Sequence, residues 1–161
     1  MWRRIFATPD DGLLTFLRVM LFVVFIPHGL QKTIGWFGGP GFNGAMGMFT
    51  SQGVPSFLGF LAIAAEFAGA IALLFGVLTR VAAFGLACNM VVAITTTHFK
   101  NGFFMNWMGN QAGEGYEYHL IALTILLAAM VRGGGAFSLD RYVWLNSELR
   151  GRREIGLRRS A

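Results

Sequence analysis

Residues 57–78 read FLGFLAIAAEFAGAIALLFGVL, a run that carries a single charge, at Glu66. A helix that crosses the hydrocarbon core of a bilayer needs about 20 mainly apolar residues, and this stretch supplies them. Thr79-Arg80 follows, and a new apolar run begins at once at Val81. Two apolar segments joined by so short a polar turn form an antiparallel helical hairpin.

Working outward, Leu13 to Ile34 lies before this hairpin, Val81 to Thr97 is its second arm, and Tyr116 to Val131 follows. The four segments predict an all-α integral membrane four-helix bundle over residues 1–137. Between the first two, Gly38-Gly39-Pro40-Gly41 and Gly53-Val54-Pro55 mark residues 35–56 as a sharply turning loop and not a further span. Residues 138–161 read as a cytoplasmic amphipathic helix and basic tail. Ser138 serves as N-cap, Leu139, Tyr142, Val143 and Leu149 form the apolar stripe, and a mobile end follows from Gly151.

Composition agrees with a lipid environment. Of the 161 residues 55% are hydrophobic and 13% charged, about half the charged share of a soluble domain. Seven of the 13 basic residues lie after position 131, at Arg132, Arg141, Arg150, Arg152, Arg153, Arg158 and Arg159. Beside apolar spans such a run marks a flank facing anionic lipid and not a nucleic-acid surface. An even number of spans places both termini on one side. Arg3, Arg4, Arg80 and the seven late arginines gather there, while Lys100 lies in an outer loop and Lys32 at the outer end of the first span. The positive-inside rule therefore puts both ends in the cytoplasm. The one cysteine, Cys88, excludes an intrachain disulfide or a Cys-x-x-Cys pair.

Polar groups inside spans are costly and face protein or a cavity. Glu66 shares a helical face with Gly59, Ala62, Gly69 and Gly76, small residues that let helices approach closely. Counting depth along the spans makes Arg18 and Asn89 its leading partners, in a structural ion pair or hydrogen bond, with His28 next. Arg80 at the inner turn belongs to the same scaffold.

A second polar group collects at the outer ends. His28, Gln31 and Lys32 close the first span, Thr95, Thr96, Thr97 and His98 close the third, and Glu114, Glu117 and His119 open the fourth. Antiparallel directions bring His28, Lys32, His98, Glu117 and His119 to one level. With Glu66 they form the candidate polar site, either for a quinone headgroup or as the inert polar cap of the bundle. No pair has a metal-motif spacing, so no metal is assigned. A lone histidine in a span can ligate haem or a pigment, but no two share a depth deep in the bilayer.

The order of these motifs resembles the DoxX family of small bacterial and archaeal membrane proteins. The matching pieces are His28-Gly29-Leu30-Gln31-Lys32, Gly35-Trp36-Phe37-Gly38-Gly39-Pro40-Gly41, Ala65-Glu66 and Gly76-Val77-Leu78-Thr79-Arg80. They continue with Asn101-Gly102-Phe103-Phe104, Gly115-Tyr116-Glu117-Tyr118 and Phe137-Ser138-Leu139-Asp140. The resemblance implies four membrane helices and an oxidoreductase setting, with His28, Lys32, Glu66, Arg80 and Glu117 as site or scaffold positions. One branch of the family looks like the small subunit of a thiosulfate:quinone oxidoreductase. The implied function is a membrane subunit of a redox complex, linked to quinone and supplied with electrons by a partner. The alternatives are an accessory subunit packed against a larger respiratory or photosynthetic complex, and a small proton-coupled transporter using Glu66.

The topology is testable in a Cys88→Ala background. Asn110→Cys should react with a membrane-impermeant maleimide added outside, and Ser147→Cys should react after the membrane is opened. Outside labelling of Ser147→Cys would overturn the orientation.

Overall fold

The structure is a computed structural model that describes the backbone of residues 3–160 and the side chains of residues 5–150. Asp11, in extended conformation, accepts hydrogen bonds from the Leu13 and Leu14 amides (2.9 and 3.3 Å) and so starts α2 (Gly12–Thr33), after a short α1 (Arg3–Phe6). Gly35 turns the chain at φ 77°. The segment expected to be loop then forms α3 (Gly41–Ser51), which packs on α2 and on α4 (Ser56–Phe75) and buries Ala45. Its glycine-rich sequence is a poor helix former by itself, and tertiary packing overrides that preference. At 11 residues it rises about 16 Å, too short to cross a bilayer.

Gly76 ends α4 in the left-handed conformation (φ 64°), and Leu78 adopts the same region (φ 46°) before α5 (Thr79–Ala93). That geometry is strained for a residue with a side chain, and Leu78 offers no cap to the helix it precedes. Asp140, 2% exposed, supplies one from across the chain, accepting from the Leu78 and Thr79 amides at 2.7 and 2.8 Å. At its far end α5 widens into a π turn, Ile94–His98, followed by a 3-10 turn, Phe99–Asn101. Thr95 and Thr96 donate back to the Val91 and Val92 carbonyls (2.8–3.0 Å), competing with the regular ladder where the helix loosens. Then come α6 (Glu117–Arg132) and α7 (Leu139–Ser160).

Helix α2 lies against α4 and α6, and α5 lies against the same two, so the four close into a ring. Leu21, Phe25, Ala70, Leu73, Leu86 and Leu126 fill its centre, while Phe16, Val23, Phe60, Phe84, Ile121 and Leu127 face outward. An apolar exterior over an apolar core is what a lipid solvent requires. Among the described residues three segments are long and apolar enough to cross a membrane: Gly12–Thr33, Ser56–Phe75 and Thr79–Asn101. Helix α6, with 16 residues, rises about 24 Å.

Two arginines close the end of the ring at the Thr79-Arg80 turn, the inner end in the orientation expected from the sequence. Arg18, 2% exposed, donates from Nε to the Gly134 carbonyl (2.8 Å) and through its other nitrogens to the carbonyls of Leu73, Leu74 and Phe137. Arg80 donates to the carbonyls of Met130 (2.6 Å), Val131 and Ala7 (2.7 Å). The last carbonyls of a helix have no partner within it. Here α4 receives Arg18 from α2, and α6 receives Arg80 from α5.

Ser138 caps α7 by accepting from the Arg141 amide (3.2 Å). The stripe residues Leu139, Tyr142, Val143 and Leu149 stay exposed, and the helix runs past Gly151 to Ser160 where composition suggests a mobile end. Asp140→Ala removes the borrowed cap and leaves two amides unpaired. It should cost about 2–4 kcal/mol, read as a lower melting temperature in detergent. Leu78→Gly, which relieves the strained turn, should leave that temperature unchanged or raise it.

Candidate functional site

The site is set by how closely α2 and α4 meet. A Cβ added at Gly29 would lie 2.7 Å from the Phe67 Cα and 3.0 Å from the Glu66 carbonyl oxygen, so no larger residue fits there. The contact brings Glu66 level with the outer part of α2. One turn above Gly29, Lys32 reaches down and its Nζ meets Glu66 Oε2 at 2.5 Å, with side-chain exposures of 29% and 9%.

Lys32, and not Arg18 or Asn89, is therefore the partner of Glu66. Arg18 is committed to carbonyls at the inner end, and Asn89 donates to the Ala62 carbonyl at 2.8 Å, fastening α5 to α4. Counting depth from the ends of the apolar runs sets Glu66 too far inward, because the Gly29 contact shifts the register of α4 against α2.

The π turn carries His98 inward from the end of α5. Its Nδ1 donates to the Glu114 carbonyl (2.8 Å), which Asn101 Nδ2 also approaches at 3.0 Å. A carbonyl accepts and cannot donate, so the contact fixes the proton on Nδ1. The His98 ring lies against His119, with centroids 4.1 Å apart and planes tilted by 44°. His119 is 6% exposed, and its Nδ1 is buried with no hydrogen-bond partner; the Tyr118 hydroxyl is buried and unpartnered in the same way. Such groups carry a desolvation cost of about 1–3 kcal/mol each unless something fills the space beside them.

That space exists. A cavity of about 330 Å³ is bounded by His28, Lys32, Glu66, His98, Glu114, Tyr118 and His119. A second, of about 310 Å³, lies under α3 between Gln31, Ala45, Phe49, Gln52, Asn89 and Thr96. Lys32, Glu66, Ala93 and His98 line both, so the ion pair stands between two chambers.

Of the six residues read from the sequence, His28, Lys32, Glu66, His98 and His119 converge on this cavity. Glu117 does not line it. Its Oε1 accepts from the Met105 amide (3.1 Å) and from Trp107 Nε1 (3.3 Å), pinning the outer loop. Its place is taken by Glu114 and Tyr118, which the site reading omits. Tyr118 stands inside the Gly115–Tyr118 motif, a signal available in the sequence. Glu114 is brought in by the loop fold, which period-counting along a helix cannot follow. Among the described residues no three His, Cys, Asp or Glu side chains gather as one metal-binding group. The two histidines that do meet, at 4.1 Å between centroids, leave no room for a macrocycle between them.

The sequence profile of the DoxX family matches residues 13–99, from α2 through the π turn. A Bacillus subtilis (strain 168) protein named "Putative oxidoreductase CatD" is 32% identical over 128 residues, covering 80% of this chain and 84% of that protein. The "Inner membrane protein YqjF" of Escherichia coli (strain K12) is 33% identical over 135 residues, covering 82% and 92%. No solved structure gives a significant match.

Two substitutions separate the contact that builds the site from the residue beside it. Gly29→Ala forces α2 off α4 and should cost about 2 kcal/mol or more in thermal stability. Glu117→Ala should keep that stability to within about 1 kcal/mol and speed proteolysis of residues 102–116. Equal stability losses would contradict the assignment.

Proposed function

The chain belongs to the DoxX family, and we propose that it is a redox-linked subunit of the inner membrane that holds a quinone headgroup in the chamber beside His98 and His119. The observation that carries this reading is the pair of buried, unpartnered groups, His119 Nδ1 and the Tyr118 hydroxyl, on the wall of a polar cavity. A quinone carbonyl accepts hydrogen bonds, and a phenol or an imidazole donates them. Reduction to the quinol takes up two electrons and two protons. The electrons come from a partner's redox centre, since one cysteine gives this chain no dithiol couple. The protons pass through the histidines and Glu66, which line the chamber. The names of the two relatives, one an oxidoreductase and one an inner membrane protein, agree with that setting.

In this reading α6 is the fourth span. Its rise of about 24 Å falls short of the hydrocarbon core, which leaves His119 in its first turn at the outer boundary. The arginine asymmetry puts both termini in the cytoplasm. A partner subunit has a surface to meet: the pinned outer loop presents Phe104, Trp107 and Met108, 68%, 84% and 86% exposed. That surface also supports the second reading, an accessory subunit that binds no quinone.

Quinone extracted from protein purified in mild detergent tests the difference. His119→Phe and Glu66→Gln should each lower quinone content about tenfold or more, and Glu117→Gln should leave it unchanged. Unchanged content in the first two variants, with a larger complex still co-purifying, would leave the accessory role.

A further inference from the structure

A third cavity, the largest of the three at about 830 Å³, runs along the outward side of the α4–α5 hairpin. Its floor is made of small residues that face each other across the two helices. A Cβ added at Gly85 would touch the Ala65 Cβ at 3.3 Å, and one at Gly69 would meet Leu86 at 3.6 Å. Larger apolar side chains, among them Leu58, Leu61 and Phe84, stand along its length. From Leu58 to Ala72 the groove follows α4 for about 21 Å at 1.5 Å per residue.

The groove is not isolated. Phe49, Ala62, Asn89 and Val92 line both it and the chamber under α3, and that chamber in turn shares Lys32, Glu66 and His98 with the histidine chamber. Asn89 is the one amide side chain along the groove, and it stands at the junction, its Nδ2 on the Ala62 carbonyl. Polarity therefore falls in one direction, from an ion pair and two histidines, past a single amide, to an apolar channel. The matching ligand is an amphiphile with a compact hydrogen-bonding head and a long apolar tail, lying across all three spaces.

We propose that the α4–α5 groove holds the isoprenoid tail of a quinone whose headgroup occupies the histidine chamber beside Lys32, Glu66 and His98, so that the substrate is a long-tailed membrane quinone and enters sideways from the bilayer. This rests on the headgroup reading above. Moving a tail from lipid into an apolar groove brings no hydrophobic gain, because lipid is equally apolar. The tail stays because its head is held nearby, which makes its occupancy an intramolecular event with a high effective concentration. Phospholipid chains reach the same groove from the bilayer without that tether.

Photocrosslinking in lipid nanodiscs tests the tail and the head separately. Three probes carry a diazirine: a fully substituted benzoquinone labelled on its ring substituent, the same quinone labelled at the end of a multi-isoprene tail, and a phospholipid labelled at its acyl terminus. The ring probe should modify residues of the histidine chamber. The tail probe should mark groove residues such as Ala68, Gly85 and Cys88 about tenfold more than the phospholipid does, and unlabelled long-tailed quinone should suppress those adducts. Gly85→Leu, which fills the groove, should remove the tail adducts and keep the ring adducts. Tail adducts distributed like those of the phospholipid, with ring adducts still in the histidine chamber, would overturn the groove assignment and leave the headgroup reading standing. Ring adducts missing from that chamber would overturn both.

Discussion

A guanidinium buried away from water must find acceptors for its donors, and Arg18 finds them on backbone carbonyls from two separate parts of the chain. Leu73 and Leu74 belong to the last turn of α4, while Gly134 and Phe137 flank the turn that leads into α7. The cation sits at the negative end of the α4 dipole, where it is favoured, and the carbonyls it binds would otherwise be unsatisfied in lipid. Its position fixes the inner end of the hairpin against α2. Asp140, on the segment held by Arg18, then caps α5 and supports the strained Leu78. With the inner turn fixed, α4 and α5 carry Glu66, Asn89 and His98 toward the other end of the bundle.

The outer end depends on a contact of another kind. Gly29 lets the backbones of α2 and α4 touch, and this brings Lys32 over Glu66. A charged pair so little exposed gains from its geometry and loses from desolvation, and the two come near to cancelling. Its consequence is local. The pair lies where the two chambers meet and lines both of them. Removing the charge at Glu66 leaves Lys32 without its counter-ion while the packing at Gly29 is preserved, which is why the two positions report on different things.

Hydropathy and direction made much of this legible in the sequence. The apolar runs mark α2, α4 and α5, and antiparallel order brings His28, Lys32, His98 and His119 together at one level. Three features lie beyond such reasoning. Partners of a buried arginine are sought among carboxylates, yet carbonyls at helix ends serve as well, and no sequence pattern marks them. Helix α3 forms from a segment with glycine at positions 41, 44 and 47, because α2 and α4 offer a surface on which Ala45 is buried; propensity alone argues the other way. The exchange of Glu117 for Glu114 depends on the path of the outer loop, where the Glu114 carbonyl meets His98 while its carboxylate accepts from the Asn106 amide, and the Glu117 carboxylate turns back to Met105 and Trp107.

The arrangement of walls bears on where a ligand comes from. Ala45, Phe49 and Gln52, from α3 and the residue after it, cover the chamber next to Glu66 on its outer side. Toward the bilayer the same chamber continues past Phe49, Ala62, Asn89 and Val92 into an apolar groove. A ligand coming from water would meet the covered side, and one dissolved in the bilayer the continuous side. A small polar molecule gains nothing from a long apolar channel, and a bulk lipid has no use for a buried imidazole and phenol. A molecule with both parts would use both surfaces, and in the proposed reading its head rests between Lys32–Glu66 and the paired histidines.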